Sequence, residues 1–182
     1  MKKTKPGIPV KKLTTMAALT AASLIIFIIE SQIPLPIAIP GAKLGLANAV
    51  TLFALFYSKD GKHGAAGLTA ADAFIILICR IILGAVFTGR LVSFIYSITG
   101  GLLAFAAQSI MKKIVTTKQI WACGAVGAVF HNIGQIAAAA LIIGTPAIAA
   151  YLPALTIAGI TTGTITGLIA QLTLKRIKET GA

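Results

Sequence analysis

The chain has 182 residues, of which 57% are hydrophobic and only 11% charged, with a mean hydropathy of +0.95 and a net charge of +12. A soluble domain carries about 25% charged residues, so the composition excludes a water-soluble globule and describes a membrane protein. The basic excess sits in short clusters between apolar runs, without a basic face or interleaved aromatics, which argues against nucleic acid as a partner.

Spans of about 20 apolar residues cross about 30 Å of hydrocarbon, and the chain is read in those units. Residues 1–12 form a basic tail interrupted by Pro6 and Pro9. The first span is predicted over 13–33. A basic start followed by an apolar run also opens a secretory leader, but this run continues through Glu30 to Pro34 with no convincing small-residue cleavage site, so it reads as a retained helix. Pro34, Pro36 and Pro40 then break any helix and favour extended backbone, which at a membrane boundary needs water or protein to satisfy its polar groups. A shorter second span is predicted over 43–58, a polar turn over 59–63, and a third span over 64–83. A loop over 84–90 leads to a fourth span over 91–111. The fifth covers 120–143 and turns at Gly144-Thr145-Pro146, and the sixth covers 149–174. A second basic tail, 175–182, follows.

The expected fold is therefore an all-α bundle of six transmembrane helices in one membrane domain, 13–174, with both termini on the same side. The placement of basic residues tests that count. With both ends cytoplasmic, the inner face carries thirteen lysines and arginines in the two tails and in the turns at 59–62 and 112–118; the outer face carries only Lys43 and Arg90. Cytoplasmic loops are enriched in Lys and Arg, so the asymmetry favours this orientation and puts the 30–48 stretch outside.

Ionisable and polar groups inside spans are costly and are the first functional candidates. Glu30 lies near the outer end of the first span, where Lys43 is a candidate partner. Asp72 and Arg80 are eight residues apart in the third span, about 12 Å along the axis, so each needs a partner on another helix. A guanidinium suits an anionic ligand. In the fifth span His131 and Gln135 share a face, with Asn132 beside them, which points to a polar pocket. Asn48 and Thr51 from the second span and Gln108 from the fourth are further candidates. Cys79 and Cys123 have no metal or redox spacing and read as buried small hydrophobes. Only four acidic residues exist, Glu30, Asp60, Asp72 and Glu179; they assemble no Asp-rich magnesium motif, and no Walker loop, nucleophile elbow or zinc-ligand set is present. No catalytic residue, metal ligand or resident cofactor is expected, and ATP-driven work would fall to a partner.

Glycine and alanine recur within the spans, as at Gly100-Gly101, Gly124, Gly127, Gly159, Gly163 and Gly167, where they suit close helix packing. Ala17, Ala18, Ala21 and Ala22 form a smooth stripe on the first helix, suited to packing within the bundle or to docking a partner helix.

Four stretches carry a family resemblance: 40–48 (Pro-Gly-Ala-Lys-Leu-Gly-Leu-Ala-Asn), 80–84 (Arg-Ile-Ile-Leu-Gly), 97–101 (Ser-Ile-Thr-Gly-Gly) and 127–135 (Gly-Ala-Val-Phe-His-Asn-Ile-Gly-Gln). Together they make the chain resemble the Gx transporter family, also labelled heptaprenyl diphosphate synthase component I, from about Leu13 to Leu174. That family groups with the substrate-binding S components of energy-coupling factor (ECF) transporters. The resemblance implies a multi-pass protein of a bacterial cell membrane that captures a small anionic or vitamin- or isoprenoid-related molecule from outside, without chemistry. Glu30, Lys43, Asn48, Arg80, His131, Asn132 and Gln135 would line the site. The alanine stripe, Ala17, Ala18, Ala21 and Ala22, would dock a coupling transmembrane subunit that works with ATPases. The alternative readings it implies are an accessory component of heptaprenyl diphosphate or menaquinone synthesis, and an electron-transfer subunit holding flavin or quinone.

Overall fold

The apolar runs become helices in the computed structural model, which describes residues 9–33, 43–57 and 68–180. Among the described residues there are six α-helices and no strand: α1 Val10–Glu30, α2 Asn48–Tyr57, α3 Ala70–Thr88, α4 Leu91–Met111, α5 Ile120–Ile143 and α6 Leu152–Thr180. Short 3-10 turns at Thr117–Gln119 and Pro146–Tyr151 lead into α5 and α6. The all-α expectation holds. The proline stretch, the turn at 59–63 and the first tail lie outside the described residues.

Five of the helical stretches are long and apolar enough to cross a membrane; α2 is not. At ten residues it rises about 15 Å, half of the hydrocarbon thickness. The second span predicted over 43–58 is thus a half-length helix preceded by five non-helical residues, 43–47. The loop expected over 84–90 shrinks to Gly89 and Arg90, because α3 continues to Thr88 and closes on the left-handed Gly89 (φ 63°). The sixth helix starts later and runs past 174 to Thr180.

Contacts between helix ends fix the up-and-down order. Lys12 pairs with Asp72 at 2.7 Å, joining the starts of α1 and α3. The Lys112 ammonium donates to the Leu55 carbonyl at 2.6 Å, joining the ends of α4 and α2. The Ile120 amide donates to Gln171 Oε1 at 3.1 Å, joining the start of α5 to the last turns of α6. All these ends share one face of the bundle, together with Lys11, Lys113, Lys118, Lys175, Arg176 and Lys178. Arg90 lies at the other end.

Close packing of α5 against α6 rests on glycine. A Cβ on Gly163 would meet the Gly124 carbonyl oxygen at 2.5 Å, and one on Gly167 would meet Trp121 Cα at 2.7 Å. In lipid, where no hydrophobic drive separates one helix from another, such backbone approach supplies the packing energy. The outer surface is apolar, with Ile25, Ile29, Val86, Leu141, Ile157 and Ile169 all more than half exposed. Cys79 belongs to that outer surface; the reading of both cysteines as buried holds for Cys123 only.

Candidate functional site

The five residues before α2 run into the bundle instead of along its surface, and their backbone is satisfied by three side chains from two helices, α1 and α5. Gln135 on α5 acts as the missing strand partner of Lys43: its Oε1 accepts from the Lys43 amide at 2.9 Å and its Nε2 donates to the Lys43 carbonyl at 2.7 Å. Glu30 Oε1, at the end of α1, accepts from the Gly45 amide at 2.6 Å. Ser23 Oγ, also on α1, donates to the Ala47 carbonyl at 3.0 Å. Extended backbone at this depth is tolerated only where protein supplies its hydrogen bonds, and Gln135, Glu30 and Ser23 do so. Asn48 and Ala49 amides then turn back onto the Gly45 and Leu46 carbonyls to start α2.

Gly45 is required twice. Its φ of +80° is costly for any residue with a side chain, and a Cβ there would lie 2.9 Å from His131 Cδ2. A Cβ on Gly100 of α4 would press the same ring from the other side, at 2.7 Å from Nδ1. The imidazole is therefore held between two glycines.

A polar relay crosses the bundle at this level. Arg80 on α3 donates from Nη2 to Asn48 Oδ1 at 2.8 Å. A guanidinium can only donate, which fixes the Asn48 amide with its nitrogen towards His131 Nδ1, 3.1 Å away. Nδ1 accepts, leaving the ring hydrogen on Nε2. Arg80, Asn48 and His131 each stand roughly ten residues from the basic-end terminus of their helix, about 15 Å up a 30 Å layer, so the relay lies at mid-membrane.

The cations are unevenly matched. Lys43 Nζ sits 3.3 Å from the centroid of the Phe27 ring, and Arg80 Cζ lies 5.6 Å from the same centroid. Lys43 Nζ and Arg80 Nε are buried without a hydrogen-bond acceptor among the described residues. The candidate pair of Glu30 with Lys43 does not form as a contact: no described carboxylate comes within 4 Å of either cation, and Glu30 is bonded to the Gly45 amide instead. Arg80, Lys43 and Glu30 are 2%, 9% and 5% exposed. Two buried cations thus face one carboxylate, an excess of one positive charge held in part by an aromatic face. Such an arrangement accepts an anion.

The 43–47 segment leaves little free space against α4, α5 and α6. The cleft beside the 43–47 segment, bordered by Gly45, Asn48, Gln108, Thr162 and Thr166, has a free volume of about 10 Å³, room for about one water. Lys43, Arg80 and Glu30 do not border this cleft.

Of the seven site residues expected from sequence, Glu30, Lys43, Asn48, Arg80, His131 and Gln135 converge on this segment. Asn132 turns towards α6, where its amide donates to the Leu155 carbonyl. Gln108 packs over Gly127 between α4 and α5, and the Thr51 hydroxyl is buried on α2 without a partner among the described residues. Asp72 caps α3, its Oδ2 accepting from the Thr69 amide at 2.6 Å, and pairs with Lys12. Phe27, Ser23, Gly45 and Gly100 also belong to the site; the two glycines lie within the 40–48 and 97–101 stretches, whereas Phe27 and Ser23 carry no signal in the sequence. Ala17, Ala18, Ala21 and Ala22 are all exposed, so the stripe is not consumed by packing within the bundle. Among the described residues no three His, Cys, Asp or Glu side chains cluster to hold a metal ion.

Comparison with known families matches the description "Heptaprenyl diphosphate synthase component I" over residues 19–173. The chain belongs to this family. No curated protein and no solved structure matches it. As a member of the heptaprenyl diphosphate synthase component I family, it carries the whole convergent site, from Ser23 to Gln135, inside the matched region, together with Ala21 and Ala22 of the alanine stripe.

Proposed function

We propose that this protein is a membrane-embedded binding subunit that captures a small anionic molecule from the outer face, in the manner of an ECF S component. The observation that carries the proposal is the pair of buried donor atoms, Lys43 Nζ and Arg80 Nε, that among the described residues have no acceptor and face a single buried carboxylate, Glu30. An anion completes both donors, which otherwise bear the cost of burial without a hydrogen bond. The basic end is cytoplasmic by the positive-inside rule, so the site opens to the other face. Six membrane passes, α2 counted as half helix and half re-entrant segment, return the chain to the cytoplasm. Lys43 carries one of the two cations and its backbone is held by Gln135, so these paired hydrogen bonds are the latch that sets its position for loading.

A second reading is favoured by the family description: the anion is the diphosphate of a prenyl chain, and the protein serves prenyl diphosphate synthesis as a non-catalytic membrane component. Both readings use the same two cations. A thermal-shift panel on the purified protein separates them, comparing small carboxylates, inorganic diphosphate, a short prenyl diphosphate and the uncharged alcohol of the same chain. Stabilisation by a water-soluble carboxylate supports capture of a solute; stabilisation by the prenyl diphosphate alone supports the second reading. Equal response to the diphosphate and its alcohol would remove the anion site from both.

The exposed alanine stripe is the docking surface for a coupling subunit in the first reading. Ala18→Leu places a branched side chain where two helix backbones must approach. Co-purification with the coupling subunit is expected to fall about tenfold or more, since an overpacked helix contact costs about 1–3 kcal/mol. The thermal midpoint should be unchanged, because Ala18 faces away from the bundle. Undiminished co-purification would withdraw the stripe from any partner.

A further inference from the structure

A second recess lies at the basic end, away from the site above. It has a volume of about 330 Å³ and sits between the Thr117–Gln119 turn and the last turns of α6. Lys118, Lys175 and Lys178 surround a floor that includes Leu174, with Thr117 and Gln171 at the side and, among the described residues, one carboxylate, Glu179, at the rim. Glu179 approaches Lys175 at 3.8 Å with both side chains more than half exposed, a pair that contributes little in water. The walls are held in place: Gln171 is bonded to the Ile120 amide, and Leu174 is 4% exposed.

Its level in the membrane is marked by two residues. Trp121, directly after Ile120, is 42% exposed, and an exposed indole at a helix end belongs at the boundary between lipid and water. Leu168 is one turn up from Gln171 on the same face of α6 and 40% exposed to lipid,. The recess therefore has ammonium groups at headgroup depth, an apolar floor made of Leu174 and lysine stems, and an apolar strip rising from it.

We propose that this recess binds the phosphodiester headgroup of an anionic phospholipid of the same leaflet, with an acyl chain lying along Leu168. Charge complementarity and the step from basic rim to lipid-facing strip select a lipid over a free ion: an ion would gain nothing from the apolar half, whereas basic pockets between helices on the cytoplasmic side suit anionic headgroups.

Native mass spectrometry of the full chain, released from nanodiscs of equal phosphatidylglycerol and phosphatidylcholine, tests it. Retained phosphatidylglycerol is expected on the wild-type protein, reduced about tenfold or more in Lys118→Gln/Lys175→Gln/Lys178→Gln, since each basic group near the surface contributes measurably. The Arg-for-Lys version of the triple variant should keep the adduct. Lys113→Gln/Arg176→Gln removes two charges from the same end without touching the recess and should also keep it. Equal loss in both Gln sets, no preference for phosphatidylglycerol in the wild type, or displacement by inorganic phosphate would overturn the proposal.

Discussion

Replacing Glu30 by glutamine is expected to destabilise the protein by about 1–3 kcal/mol, less than breaking a direct buried ion pair, because Glu30 balances Lys43 and Arg80 without contacting either. Glutamine keeps the shape and an oxygen able to accept from the Gly45 amide, so the local hydrogen bond survives and only the charge is lost. Lys43 and Arg80, each less than a tenth exposed, then stand near each other and the Phe27 ring with no described carboxylate to balance them. Denaturant unfolding in detergent reads the loss directly. An added anionic ligand should restore more stability to the variant than to the wild type, because the pocket now carries two uncompensated positive charges in place of one. A loss below about 1 kcal/mol, the size of an exposed pair, would show that the three charges do not share a buried field.

Arg80→Gln is expected to weaken anion binding by about 10–100-fold, since a hydrogen bond to a charged group contributes about 1.5–3 kcal/mol. Arg80 also anchors the relay: without Nη2 the Asn48 amide loses the donor that orients it towards His131. Arg80→Lys keeps the charge but has no planar fork, so it should recover only part of the affinity. Titration of the stabilising anion from the thermal-shift panel against the three proteins gives the order wild type, Lys variant, Gln variant. Unchanged affinity in Arg80→Gln would make the arginine a structural strut, and the anion site would rest on Lys43 alone.

Much of this arrangement was legible because lipid leaves so few solutions. Polar residues inside apolar spans must find partners, so Asn48, Arg80, His131 and Gln135 stood out before any fold was known, and they do converge. What periodicity and charge left hidden was depth. An apolar stretch at 43–58 has the composition of a span, and only the left-handed turn at Gly45 with Asn48 behind it shortens the helix to ten residues and drops the segment into the bundle. Phe27 carried no signal, since an aromatic among Ile and Leu residues reads as one more lipid-facing side chain. Its role depends on Lys43 being drawn under α1 by Gln135, a contact across 92 residues of sequence. Asp72 has the partner on another helix that its place in the sequence required, Lys12 of α1, but its depth was hidden. Inside an apolar run it resembles an intramembrane carboxylate, yet Thr69 before it makes a capping box that starts α3 at the basic end. Asn132 lies one residue from His131, and that one step, about 100° around a helix, turns it to α6.

The most direct measurement is native mass spectrometry of the wild-type protein purified in mild detergent, with the bound small molecules released and identified. An anionic molecule retained by the wild type and lost from Arg80→Gln is the predicted result. A neutral molecule retained equally by both proteins would contradict the assignment of Lys43 and Arg80 as an anion site.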